Sequence, residues 1–310
     1  MNTRRTIAHG LALMTIVVWG TTFIATKILL ETFSPLEILL IRFVMGFLGL
    51  AIYDALKNSS SRPPWNLRQE LIFAGAGLSG VVVYYLLENI ALSMTYASNV
   101  GILVSIAPLT TALIAPFFLK EEPLRAKLIF GFIIASIGVS LVMFNGNIEF
   151  KLSLAGDTLA LSATLGWAIY SILLKKIDTE NYTVITYTKK IFFYGIILML
   201  PFARASNFSI ATVDFTPLNT ILLIFLGLGA SAGGFLGWNK AVHILGVFKT
   251  SAYIYLSPLI TLFTAALVLG EPITMMALGG CFLILIGLYL SERKPFPKQP
   301  RKPAFSEKAQ

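Results

Sequence analysis

Apolar residues run along this chain in long blocks separated by short polar breaks. A helix that crosses a bilayer needs roughly 20 mostly apolar residues. Ten blocks come to about that size: Ile7–Leu30, Pro35–Tyr53, Gln69–Leu92, Ser98–Leu119, Pro123–Phe144, Leu154–Leu174, Val184–Phe202, Pro217–Trp238, Thr250–Leu269 and Pro272–Leu290. Several open on proline, whose missing N–H is an orphan donor at a helix start anyway. The breaks carry turn chemistry: Lys57–Trp65 is rich in Ser and Pro, and Asn145-Gly146-Asn147 reads as a turn. The pattern predicts an all-α membrane protein of ten transmembrane helices.

Composition agrees. Of 310 residues, 56% are apolar and only 13% charged, about half the charged share of a soluble domain. That excludes an ordinary soluble enzyme and a disordered chain. The net charge is +9, but the basic residues sit in the breaks rather than on one face with exposed aromatics. They therefore read as a topology signal, not as a nucleic-acid surface. With the N-terminus in the cytoplasm, eighteen Lys and Arg fall on the inner side against Lys151 and Arg204 outside. An even number of spans then puts both termini in the cytoplasm, as in a bacterial cytoplasmic membrane. The first block follows Arg4 and Arg5, yet it is too long for a signal peptide's apolar region and lacks a small-x-small cleavage site, so it reads as an uncleaved span. The Lys- and Pro-rich tail over 291–310 reads as disordered. Cys281 is alone and can neither close a disulfide within the chain nor build a zinc site.

The second half repeats the first at an offset of about 150 residues. Asn89-Ile90-Ala91 returns as Asn239-Lys240-Ala241, and Ala107-Pro108-Leu109 as Ser257-Pro258-Leu259. Thr111 returns as Thr261, Glu122-Pro123 as Glu271-Pro272, Gly131 as Gly280 and Gly138 as Gly287. Upstream, Trp19 matches Trp167, Lys27 matches Lys175 and Arg42 matches Lys190. The units span 7–144 and 154–290. Each holds five helices, an odd number, so the two stand inverted to one another. Inverted repeats are a device of secondary transporters, where two such units exchange roles in alternating access.

Trp19-Gly20 with Phe23 and Lys27, Arg42-Phe43, Trp238-Asn239 with Ala241, Leu256-Ser257-Pro258-Leu259, Leu269-Gly270-Glu271-Pro272 and the run Gly280–Gly287 together resemble the EamA-type drug/metabolite transporter family. The first half departs from the Leu-Gly-Glu-Pro step, reading Leu119-Lys120-Glu121-Glu122-Pro123. The resemblance covers roughly residues 8–291. It implies ten spans in two units and transport of small metabolites such as amino acids, leaning to export. It also implies a central cavity lined mostly by spans 1, 3, 4, 6, 8 and 9.

Candidate substrate-binding residues follow from what a bilayer interior tolerates. Pro108 and Pro258 fall mid-span at matching places and would free the carbonyls of Val104 and Ile254, either as site-lining breaks or as packing kinks. Trp19 and Trp167 lie mid-span beside Gly20 and Gly166, where an indole N–H needs a partner or a cavity. Glu88 is an acidic residue well inside a span. It calls for an ion pair with Lys27 or Arg42, or serves as a proton-coupling carboxylate or counter-ion to a substrate amine. Tyr84 and Tyr85 lie one turn from Glu88, and Tyr170 stands one turn after Trp167. Asn89 and its match Asn239 offer amides for interhelical bonds or substrate. Lys189 and Lys190 read as snorkelling to the cytoplasm, and Glu122 and Glu271 as complements to helix dipoles. Gly229-x-x-x-Gly233-x-x-x-Gly237 reads as a packing seam.

No Walker, dinucleotide or His-Glu-x-x-His motif is present, so no cofactor is expected and gradients would drive transport. The partners expected are a small-molecule substrate and the lipid bilayer, with a homodimer left open. The rivals are a structural or sensory membrane protein, a channel, and an intramembrane enzyme using Ser231 and His243. Those two are twelve residues apart on one stretch, about 18 Å if helical, too far for a nucleophile and its base.

Overall fold

The computed structural model describes residues 3–56, 65–94, 100, 103–119, 126–144, 153–205, 215–269 and 273–292. All regular elements among them are helical. In order they are α1 (Thr3–Leu29), α2 (Pro35–Leu56), α3 (Leu67–Gly77), α4 (Tyr84–Met94), α5 (Ala107–Phe118), α6 (Ala126–Phe144), α7 (Leu154–Leu174), α8 (Val184–Ala205), α9 (Pro217–Ile224), α10 (Gly234–Leu245), α11 (Val247–Ala252), α12 (Ser257–Leu269) and α13 (Met275–Glu292). Polar caps start several of them: Asn66, Ser153 and Thr216 accept the N–H groups of Gln69, Gly156 and Asn219, satisfying donors a helix start leaves orphaned.

Among the described residues, seven continuous stretches are long and apolar enough to cross a membrane: Thr3–Thr26, Pro35–Leu56, Leu67–Ala91, Leu154–Leu174, Val184–Arg204, Pro217–Leu245 and Val247–Val268. Shorter apolar helices at Ala107–Phe118, Ala126–Val142 and Met275–Ser291 occupy the remaining blocks. Side chains such as Phe117 and Leu267 are almost fully exposed on the outside of the bundle, as in helices whose solvent is lipid. The eighth block runs on to Leu245, which brings Asn239 onto a helix. It stops at Gly246, whose φ of 90° lets α11 start one residue later.

Two features depart from the pattern. The stretch Leu67–Met94 passes through a π-helical segment at Leu78–Val83, and Pro217–Leu245 through another at Phe225–Gly233. The apolar blocks read as unbroken α-helix there. A π turn takes in an additional residue and re-phases the faces beyond it. The glycine seam is displaced accordingly. A Cβ at Gly229 or Gly233 would meet only its own helix, whereas one at Gly227 would strike Met45 and one at Gly237 would strike Thr15.

The prolines also behave differently from a mid-span kink. Pro108 lies in the first turn of α5, and Pro258 in that of α12, after a 3-10 turn at Tyr253–Leu256. The Ile254 carbonyl is not freed, because it accepts the Ser257 N–H. The chain breaks before each proline instead of bending at it.

The most extensive helix contact is between α6 and α13. They run antiparallel: a Cβ at Gly131 would lie 2.5 Å from the Gly287 carbonyl oxygen, and one at Gly138 2.6 Å from that of Gly280. Contacts also cross between the halves in matching ways. α1 packs on α10 and α12, while α7 packs on α4 and α5; α2 packs on the second π segment, and α8 on the first and on α3. The Lys57–Trp65 loop up to 64, the turn at 145–147, the Glu-Pro steps at Glu122 and Glu271, the Lys27 side chain and the tail beyond Glu292 lie outside the described residues.

Candidate functional site

The centre of the bundle is aromatic. Trp19 of α1 meets Trp167 of α7 edge-on, ring centroids 5.5 Å apart, and Trp238 of α10 at 5.2 Å. Trp167 also touches Trp238 at 5.8 Å, Tyr84 at 5.2 Å and Tyr170 at 5.2 Å. Phe235 closes the cluster beneath Trp19 and Tyr170. Such ring pairs add about 0.5–1.5 kcal/mol each beyond their burial.

Small residues on the two π-containing stretches admit these rings. A Cβ at Gly234 would fall 2.5 Å from Trp19 Nε1, and one at Gly80 2.4 Å from the Tyr170 ring. Trp19 Nε1 donates to the Ala230 carbonyl at 2.9 Å. Each π segment thus takes an aromatic side chain from the other half of the sequence.

Polar side chains flank the cluster in two groups. In the first, Arg42 is buried and donates through Nε to Ser231 Oγ at 2.9 Å. Its guanidinium lies 5.0 Å from the centroid of the Tyr85 ring and 5.3 Å from that of Phe43. Its charge also bears on the buried Glu88 carboxylate. The Lys27 side chain, the other cation proposed to face Glu88, lies outside the described residues. Ser231 is spent on holding Arg42.

In the second group, the Tyr170 hydroxyl donates to Asn239 Oδ1 at 2.6 Å, and Asn239 Nδ2 donates to Thr188 Oγ1 at 2.9 Å. Asn239 is therefore an interhelical connector. Asn89 is half-buried on α4, and among the described residues it is not joined to this network. Close by, Lys190 Nζ donates to Glu70 Oε1 at 2.5 Å and the Tyr194 hydroxyl to Glu70 Oε2 at 2.8 Å, while Lys189 pairs with Asp54. These contacts replace the snorkelling reading of Lys189 and Lys190.

Of the residues picked from the sequence, the structure gathers Trp19, Trp167, Tyr84 and Tyr170 into one cluster. Tyr85 and Glu88 stand beside it at Arg42, and Asn239 beneath Tyr170. Pro108 and Pro258 shape the neighbouring helices from their first turns. Sequence reasoning missed Trp238 and Phe235 as members, and Glu70 and Asp54 as carboxylates facing the lysines. The match of Lys190 to Arg42 was the signal for the second: a cation repeated inside a span needs a carboxylate. No group of three or more His, Cys, Asp or Glu side chains arranged to hold a metal occurs among the described residues.

Comparison with known proteins adds the context. The model of the EamA-like transporter family matches the chain twice, over residues 6–144 and 154–293. An uncharacterized transporter of Archaeoglobus fulgidus is 30% identical, over 92% of this chain and 97% of its own. A probable terminal-alkyne amino-acid exporter of Streptantibioticus cattleyicolor is 28% identical, over 91% of this chain and 92% of its own. A solved crystal structure superposes with a TM-score of 0.73 at 19% identity, covering 93% of this chain and 98% of that one; this likeness concerns the fold.

Proposed function

The chain belongs to the EamA-like transporter family, and from that membership we propose that it is a secondary carrier exporting an amino acid or similar small metabolite by alternating access. It is a multi-pass membrane transporter, not an enzyme. In our reading ten spans form two five-helix units, residues 7–144 and 154–290, inverted to one another, with both termini in the cytoplasm of a cell membrane. The antiparallel contact of α6 with α13 supports the inversion, because Gly131 and Gly138 meet the sequence matches of each other, Gly287 and Gly280. Residues that exchange partners in this crosswise way are what a two-fold relation produces.

The observation that carries the functional reading is the Trp19–Trp167 contact. Matched residues of the two halves meet there, flanked by π turns at matching positions. A carrier site shared by two inverted units lies at their interface, and π turns concentrate at functional sites. The amino-acid assignment takes its support from the relative named as an exporter of one.

Purified protein in liposomes, given a panel of labelled amino acids and nucleobases without nucleotide, tests the reading. Saturable uptake of an amino acid is the expected result. Flux that rises linearly with concentration, or no flux from folded protein, overturns it.

A further inference from the structure

Trp167 and Trp238 are 4% and 0% exposed, and the indole N–H of each lacks a hydrogen-bond partner among the described residues. An indole nitrogen only donates, and a buried donor left unpaired is costly. The third tryptophan shows the contrast, since Trp19 Nε1 is bonded to Ala230. Other polar atoms at this place are already committed, Tyr170 to Asn239 and Asn239 to Thr188. The hydroxyl of Ser171, one turn after Trp167 on α7, is buried and unpartnered as well.

We propose that Trp167 and Trp238 are a two-donor anchor for the carboxylate of the transported molecule. The proposal rests on the carrier reading above and deepens it by naming the recognised group. Two free donors whose rings lie 5.8 Å apart complement a group with two acceptor oxygens, and hydrogen bonds to an ionised acceptor are the strong ones. The substrate class is thus a small organic acid, amino acids included, held by its acid end. The amine is not what the anchor reads.

The test uses the full-length protein in liposomes. Labelled L-leucine, L-phenylalanine and L-threonine are the probes, with their decarboxylated amines and methyl esters as competitors. The acids should compete at least about tenfold better than the amines and esters, and Trp167→Phe and Trp238→Phe, which keep an aromatic ring and remove the donor, should each weaken acid binding about tenfold. Trp65→Phe, at an exposed site, should change nothing. Equal competition by amines or esters overturns the anchor while saturable flux leaves the carrier standing. Wild-type affinity in both Trp→Phe variants does the same. If none of the compounds is carried by folded protein, the carrier reading falls and takes the anchor with it. Should a Trp→Phe variant fail to fold, the ester comparison on the unaltered protein decides alone.

Discussion

Gly280→Ala against Gly279→Ala is a matched pair of substitutions one residue apart on α13. At Gly279 an added Cβ has no neighbour within 4 Å. At Gly280 it would lie 2.6 Å from the Gly138 carbonyl oxygen, 2.8 Å from the Val142 nitrogen and 2.9 Å from Leu141 Cβ. Two of these are backbone atoms, so α6 must retreat as a body. Restoring an ordinary 3.4 Å contact needs about 0.8 Å of separation at this level, and a gap of about 0.5–1 Å forfeits a quarter to a half of the dispersion energy of the atoms it parts. Overpacking of this kind costs about 1–3 kcal/mol, whereas Gly279→Ala should gain up to about 1 kcal/mol of helix propensity. Thermal unfolding in detergent, followed by loss of the monodisperse chromatographic peak, compares the two. Gly138→Ala should match Gly280→Ala, because the contact is reciprocal. Equal transition temperatures for Gly279→Ala and Gly280→Ala would refute the close α6–α13 crossing.

Further outcomes follow from the polar groups. Arg42→Met leaves the buried Ser231 Oγ without its donor and should cost about 1–3 kcal/mol; thermal unfolding of the variant against the wild type checks this. Tyr170→Phe leaves Asn239 Oδ1 without its donor and should cost about 1–3 kcal/mol, read in the same assay. The turn after α7 carries a pH response. Asn181, through its side chain first and its N–H second, and the Glu180 N–H hold the Asp178 carboxyl below its usual range. Its contribution to the turn is therefore complete above the ordinary value of about 3.9 and lost as pH falls through the lowered one. Hydrogen exchange over residues 175–183, corrected for the intrinsic rate, should show that loss in the wild type and none in Asp178→Asn.

Much of the fold was legible because a bilayer constrains the chain so tightly. Each apolar block contains a helix, and the sixth, Leu154–Leu174, has the predicted ends. The π segments were not legible, since Leu78–Val83 and Phe225–Gly233 are as apolar as their flanks. What distinguishes them is the aromatic side chain from the other half that lodges against each. That re-phasing also explains why contact moved away from Gly229 and Gly233. Trp19 and Trp167 were visible as mid-span tryptophans in matching places, whereas Trp238 ended its apolar block and looked like a boundary residue. The lysines were misread because Lys189 and Lys190 lie near a helix end, where snorkelling suffices. Their carboxylates, Asp54 and Glu70, sit on other helices, and only tertiary packing brings them together.

Counterflow tests the central claim most directly. Liposomes carrying the protein are loaded with an unlabelled amino acid that it transports and diluted into the labelled compound at low concentration, with no nucleotide present. A carrier with alternating access returns loaded from each side, so the label should accumulate transiently above its outside concentration. A monotonic approach to equilibrium, unaffected by the internal load, would contradict the account and describe a pore.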